Sequence, residues 1–210
     1  MKSYDGLRVV DGVNLSIATG EFVAIVGPSG AGKTTLLQIL GSLDRPDSGT
    51  VSYDGTVITS LSESRMAAFR NRKRGVVFQF HQLLPEFTLA ENVAMPAMRG
   101  GESRGRALER AAERLKSRGL GDRLTHRPSQ LSGGERQRGA VARALINDPR
   151  VILADEPTGS LDSRNREELY SLFVELKAST GKTLVIVTHD ESLARSADRV
   201  IRMADGHIVI

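Results

Sequence analysis

Five apolar residues, Phe22-Val23-Ala24-Ile25-Val26, run without polar alternation straight into Gly27-Pro28-Ser29-Gly30-Ala31-Gly32-Lys33-Thr34. The helical pattern Thr35-Leu36-Leu37-Gln38-Ile39-Leu40 follows and is stopped by Gly41. A strand without alternation is buried on both faces, the condition of a parallel sheet covered by helices. The segment after it fits G-x-x-x-x-G-K-[ST], in which successive backbone N–H groups surround phosphate oxygens. Strand, glycine loop and helix in that order restrict the chain to an α/β fold. The amides of residues 30–34 face an α- and β-phosphate, and Pro28 cannot donate. Lys33 brings a point charge to the β- and γ-phosphates, and the Thr34 hydroxyl suits Mg²⁺.

Far downstream stands Leu131-Ser132-Gly133-Gly134-Glu135-Arg136-Gln137-Arg138. Ser132 and Glu135 have the spacing of a capping box. Two glycines at the first helical positions suit that role poorly, since each costs about 1 kcal/mol relative to alanine. They suit the approach of a large anion to a helix N-terminus, where free N–H groups and the dipole favour negative charge. Both readings stand on the residues alone. Two phosphate-facing devices in one chain point to a nucleotide site closed by a second copy of the chain.

At 210 residues the chain is long enough for one domain with a sizeable core, and 40% hydrophobic content with 4% aromatics makes that core aliphatic. The absence of cysteine excludes disulfides and thiolate metal sites. No apolar run approaches the ~18–20 residues of a membrane span, and the first residues do not lead into a signal-peptide stretch, which points to a soluble cytoplasmic chain. The net charge is +4. Its arginines are dispersed through helical stretches without interleaved aromatics, so nucleic acid is not an expected partner.

Val13-Asn14-Leu15-Ser16-Ile17 alternates as a strand does, and Asp54-Gly55 between 50–53 and 56–58 signals a hairpin. Gly75-Val76-Val77-Phe78 is a further short strand. Residues 79–148 carry no strand pattern. They hold an amphipathic helix with Ala107, Leu108, Ala111, Ala112 and Leu115 on one side, after a loop at Gly100-Gly101-Glu102-Ser103. A strand returns at Val151-Ile152-Leu153-Ala154, then a helix over 166–179, a strand at Leu184-Val185-Ile186-Val187-Thr188, and a hairpin of 200–203 with 207–210 around Asp205-Gly206. The expected organisation is one domain, 1–210: an α/β core of 1–78 and 149–210 with a mostly parallel sheet and an N-terminal antiparallel β part, and a helical sub-domain over 79–148.

Polar residues stand at the ends of these strands. Asp155 and Glu156 follow the strand at 151–154, His189 follows 184–188, and Gln79 follows 75–78. Mg²⁺ takes one or two carboxylates beside phosphate oxygens, which makes Asp155 the metal residue; Glu156 can polarise an attacking water, and His189 can reach a γ-phosphate. Open α/β sheets bind ligands beyond their strands' carboxyl ends, where all of these lie.

In order, these motifs resemble those of the nucleotide-binding subunits of ABC transporters, over essentially the whole chain. The phosphate loop is 27–34, Gln79 is the Q-loop glutamine, Leu131-Ser132-Gly133-Gly134-Glu135 the signature, and 151–156 the Walker B strand. Ser160-Leu161-Asp162 is the D-loop, and His189 the switch histidine. The resemblance implies a RecA-like P-loop fold, ATP hydrolysis with Mg²⁺ held at Thr34, Gln79 and Asp155, and Tyr4 stacked on adenine. It implies two copies sandwiching two ATP, with Ser132 and Gly134 of one facing the γ-phosphate held by Lys33 of the other. Family members open with a strand ahead of the adenine tyrosine; three residues precede Tyr4 here, which points to a shortened N-terminus. Ser160 stands where similar relatives carry asparagine.

Within the family, residues 79–96, with Phe80, Leu83, Leu84 and Phe87, are closely similar to the ATPases of lipoprotein-releasing systems. They are more loosely similar to those of MacB-type exporters and FtsE-type division complexes. That similarity implies a peripheral motor on the cytoplasmic side of the inner membrane, docked on two integral membrane permease subunits. Packing into the helical sub-domain is the alternative use of the same apolar residues. A soluble, non-transport ABC ATPase is the reading from another class.

Overall fold

The strand at the phosphate loop is buried as the unbroken apolar run predicts. In the computed structural model, which describes residues 1–209, Phe22, Val23, Ala24 and Ile25 have no solvent exposure. This strand, β3 (Phe22–Val26), is inside a six-stranded sheet of order β10-β9-β3-β8-β7-β6. Its neighbours are β8 (Thr183–Val187) and β9 (Arg199–Ala204), both parallel to it. Beyond β8 come β7 (Val151–Asp155) and the edge strand β6 (Arg74–Phe78), also parallel; β10 (His207–Val209) closes the other edge antiparallel to β9.

Successive strand residues point to opposite faces, and each face has its own core. Phe22, Ile152, Leu184 and Ile186 pack with Val141 and Leu145 of α5 (Gly133–Leu145) and Leu169 and Phe173 of α6 (Ser163–Thr180). Val23, Ile25, Val185 and Val187 pack on the other side with Leu36 and Leu37 of α1 (Lys33–Leu40). Two small antiparallel pairs stand apart from this sheet: β1 (Lys2–Tyr4) with β2 (Leu7–Val10), ahead of β3, and β4 (Ser52–Tyr53) with β5 (Thr56–Val57), after α1. Asp54 and Gly55 both have positive φ, as a two-residue hairpin turn needs. Between β6 and β7 the chain forms α3 (Leu89–Arg99), α4 (Arg104–Lys116) and α5. Leu89, Val93, Ala107, Ala111, Leu115 and Ile146 close a third apolar cluster there.

The structure differs from the sequence reading at several elements. Residues 13–17 are not a strand: the period-two burial is present, with Val13, Leu15 and Ile17 against the core, but among the described residues no ladder partner pairs with them. The helix expected over 166–179 runs from Ser163, capped by Asp162, to Thr180. The helix α2 (Glu63–Lys73), with Met66 as its one buried residue, and the short α7 (Glu191–Arg195) carry too little apolar periodicity to be read. The closing hairpin forms as far as Val209, and position 210 lies outside the described residues. No helix among the described residues is long and apolar enough to cross a membrane.

Candidate functional site

The glycine loop is shaped by close backbone approaches. A Cβ on Gly27 would sit 2.1 Å from the carbonyl oxygen of Met203 in β9, and one on Gly32 (φ +91°) 2.2 Å from that of Val9. Neither position tolerates a side chain. Gly32 starts α1 without any side-chain cap, which leaves the helix N-terminus to another acceptor. Lys33 is 8% exposed, and its Nζ donates to the carbonyls of Gly27 (2.9 Å) and Pro28 (3.0 Å), so its charge is held inside the loop.

At the end of β7, Asp155 Oδ1 accepts from Thr34 Oγ1 at 3.0 Å. Burial raises the Asp155 pKa, opposed by the Thr34 hydrogen bond and reinforced by neighbouring Glu156. Among the described residues Asp155 has no ion pair within 4.0 Å, and Lys33 acts on it from farther away. Two hard oxygen donors beside a phosphate loop match what Mg²⁺ selects, since that ion takes few protein ligands and completes its shell with phosphate and water.

Glu156 has φ +43°, a left-handed conformation strained for a non-glycine residue, held by its N–H donating to Val187 O at 2.9 Å. The turn swings its carboxylate toward the end of β8. There Oε2 lies 2.8 Å from His189 Nδ1 and accepts from the His189 N–H at 3.3 Å. A Cβ on Gly159 would lie 2.7 Å from Gln79 Nε2, and the Ser160 hydroxyl donates to Gln79 O at 3.2 Å, so Gln79 and the D-loop are in contact. Asp162 Oδ1 caps α6 by accepting from Asn165 N at 2.9 Å. Lys33, Thr34, Asp155, Glu156, His189 and Gln79 therefore lie along one edge of the parallel sheet.

The segment 131–135 does not join that cluster within one chain; among the described residues no hydrogen bond links it to residues 27–34. Its capping box is formed: Ser132 Oγ accepts from Glu135 N (3.2 Å), and Glu135 Oε2 from Ser132 N (2.7 Å). The Ser132 amide and the Arg123 ion pair hold the Glu135 pKa below the usual carboxylate range. The two glycines divide. A Cβ on Gly134 would lie 1.8 Å from Asn165 Oδ1, whereas one on Gly133 meets only Leu161 at 3.7 Å. Among the described residues, no neighbour crowds a side chain at Gly133.

Tyr4 is 42% exposed; its hydroxyl donates to Asp44, and Lys2 Nζ sits 5.0 Å from the ring centroid. Two residues missed by sequence reasoning shape the loop after Gln79. Arg143 on α5 donates to the carbonyls of Gln82 (2.5 Å) and His81 (2.7 Å), both at positive φ. Asn92, 2% exposed, accepts from Leu84 N (2.7 Å) and donates to the carbonyls of Leu84 (3.0 Å) and Phe87 (3.2 Å). An arginine or asparagine inside an amphipathic helix gives no such signal. Phe80 is left 73% exposed, and Leu84 and Phe87 39% each.

Comparison with known proteins agrees with this geometry. A family profile described as ABC transporter matches residues 10–159. The lipoprotein-releasing system ATP-binding protein LolD of Bacteroides thetaiotaomicron is 60% identical over 99% of this chain and 95% of its own length. The LolD of Porphyromonas gingivalis is 57% identical, covering 98% and 94%. A solved structure described as a dimeric post-hydrolysis state of the ATP-binding cassette MJ0796 bound to ADP and Pi superposes with a TM-score of 0.91. It is 41% identical, covering all of this chain and 93% of that one. With the family profile matched over most of the chain and near-full-length relatives at this identity, the chain belongs to the ABC transporter family of ATP-binding proteins.

Proposed function

We propose that this chain is the ATP-hydrolysing motor of a lipoprotein-releasing transporter, working as a pair of copies on the cytoplasmic face of the inner membrane beneath two membrane-embedded permease subunits. The observation that carries the catalytic part is the arrangement of Lys33, Asp155, Glu156 and His189 at neighbouring strand ends. Relatives named for lipoprotein release support the substrate.

The residues divide the work. The amides of 30–34 and Lys33 bind the phosphates, and the exposed ring of Tyr4 stacks on adenine. Thr34, Asp155 and Gln79 would hold Mg²⁺, which would supply positive charge against the phosphate oxygens. Glu156 takes a proton from water as its oxygen attacks the γ-phosphorus; the bond to the bridging oxygen breaks, and ADP departs with those electrons. His189, paired to Glu156, orients that carboxylate and contacts the γ-phosphate. Ser132 and Gly133 of the second copy complete the γ-phosphate site from across the dimer, together with Gly134. The apolar side chains of 80–87, braced by Asn92 and Arg143, receive the permease subunits.

Glu156→Gln should leave ATP affinity within twofold of wild type (about 0.4 kcal/mol) and lower phosphate release at least about a hundredfold, because the water loses its base while the phosphate contacts remain. Nucleotide binding and phosphate release are measured side by side. Normal turnover would remove Glu156 from the mechanism. For the substrate, the complex with its permease subunits is placed in liposomes carrying a lipoprotein, and ATP-dependent release into solution is followed. A complex that hydrolyses ATP and releases nothing would overturn the lipoprotein assignment.

A further inference from the structure

Arg74, the first residue of the edge strand β6, is 8% exposed, yet its Nε has no hydrogen-bond partner and no carboxylate lies within 4.0 Å among the described residues. The ionisable groups acting on it are Tyr53, whose hydroxyl is committed to Leu40 O (2.7 Å), and a second cation, Arg70. Burial pulls its pKa down to about 10. A buried charge with no counter-charge is among the costliest arrangements in a protein.

Arg74 lines a cavity of about 180 Å³ between α2, β6, α3 and α5, together with Arg70 and Arg143. The other polar walls are satisfied: Asn147 donates to Asn71 O (3.0 Å) and Pro96 O (3.1 Å), and Asn71 to Pro96 O (2.8 Å). Arg143 is engaged by the carbonyls of His81 and Gln82. Arg70 donates to Ser42 O (3.3 Å) and has one distant carboxylate, Glu63 at 3.9 Å, itself paired with Arg45. Of the three arginines, Arg74 is the one whose side chain has neither a hydrogen bond nor an ion pair among the described residues. The C-terminus of α1 offers partial compensation: a Cβ on Gly41 would lie 3.3 Å from Arg74 Nη1, and the last turn of α1 has no basic residue of its own. A helix end supplies only about half a charge.

We propose that this groove receives a carboxylate side chain of the permease subunit docked on residues 80–87, and that Arg74 is the residue that pairs with it. The inference rests on the docking reading above and names the chemistry of the partner. Continuity supports it, since Arg143 lines the groove and holds the backbone of the docking segment. So does size: a groove of about 180 Å³ admits a glutamate or aspartate side chain.

The test uses the ATPase co-expressed with its two permease subunits and recovered in detergent through a tag on a permease. Arg74→Met keeps the volume and removes the charge. The isolated variant should melt at or above the wild-type temperature, because an unpaired buried cation is replaced by an apolar chain. Its recovery with the permeases should fall about tenfold or more and cease to depend on ionic strength, and Arg74→Lys should restore part of it. Leu84→Glu is the control for docking itself. Loss of recovery with Leu84→Glu but wild-type recovery with Arg74→Met overturns the groove and leaves the docking reading standing. Normal recovery with both variants overturns the docking reading. A lower melting temperature of Arg74→Met with a matching loss of recovery makes Arg74 a structural cap on α1 and overturns the proposal as well.

Discussion

Adjacent glycines in the signature answer to different forces. Gly134 is fixed inside the chain by the Asn165 amide, itself held by a hydrogen bond from Nδ2 to Asp162 Oδ2 at 2.8 Å. A side chain on Gly133 would meet only an ordinary van der Waals contact with Leu161. In the isolated protein Gly133→Ala should be neutral or stabilising by about 0.5 kcal/mol, as alanine propensity alone predicts, whereas Gly134→Ala should destabilise by about 1–3 kcal/mol through overpacking against Asn165. Denaturant unfolding of the two variants decides it, and equal effects would contradict the division. Sequence read both glycines as room for an anion; neighbours supplied by α6 are invisible at that stage. The same limit applies elsewhere. Asp155, Glu156 and His189 were legible because they stand where an apolar strand ends, and Lys33 because the glycine spacing of its loop marks it. The Glu156–His189 pairing, the Arg143 clamp and the Asn92 brace depend on partners 33, 61 and 8 residues away respectively.

Caps and ladders explain which elements could be read. Thr88 starts α3 with a full capping box, its hydroxyl accepting from Glu91 N at 3.2 Å while Glu91 Oε2 accepts from Thr88 N at 3.0 Å. The Thr88 amide, the Thr88 hydroxyl and the Arg104 ion pair (2.9 Å) keep the Glu91 pKa low. Thr88→Ala should cost about 1 kcal/mol and loosen the segment just before it, seen as faster amide exchange at Leu84 and Phe87; unchanged exchange would detach the cap from the docking loop. Such caps, with aliphatic runs as dense as those of β3, β7 and β8, make an element legible. Residues 13–17 show the opposite case. Their alternating burial satisfies the strand pattern, but a strand also requires a partner, and no sequence period reports one. Helix α2 went unread because an arginine-rich face with one buried methionine looks like solvated chain.

For the whole molecule, the phosphate loop and the signature lie in two places with no hydrogen bond between them among the described residues, and in the proposed mechanism a second copy brings the signature to the loop. Ser132→Arg should therefore leave ATP binding by the isolated chain near wild type while abolishing ATP-driven dimerisation and hydrolysis, measured by light scattering and phosphate release. Failure of the single chain to bind ATP would place the residue in its own fold instead. The sheet order has a separate bearing on how the protein is made. Strand β3, which launches the phosphate loop, pairs with β8 and β9, so its neighbours are synthesised near the end of the chain. While the ribosome is still translating residues before Thr183, Lys33 and its loop are already outside on a strand with both edges bare. Contacts this distant in sequence form slowly. The nascent chain thus carries its nucleotide motif through nearly all of synthesis without the means to use it, and the ability to bind ATP arrives late, together with the last strands.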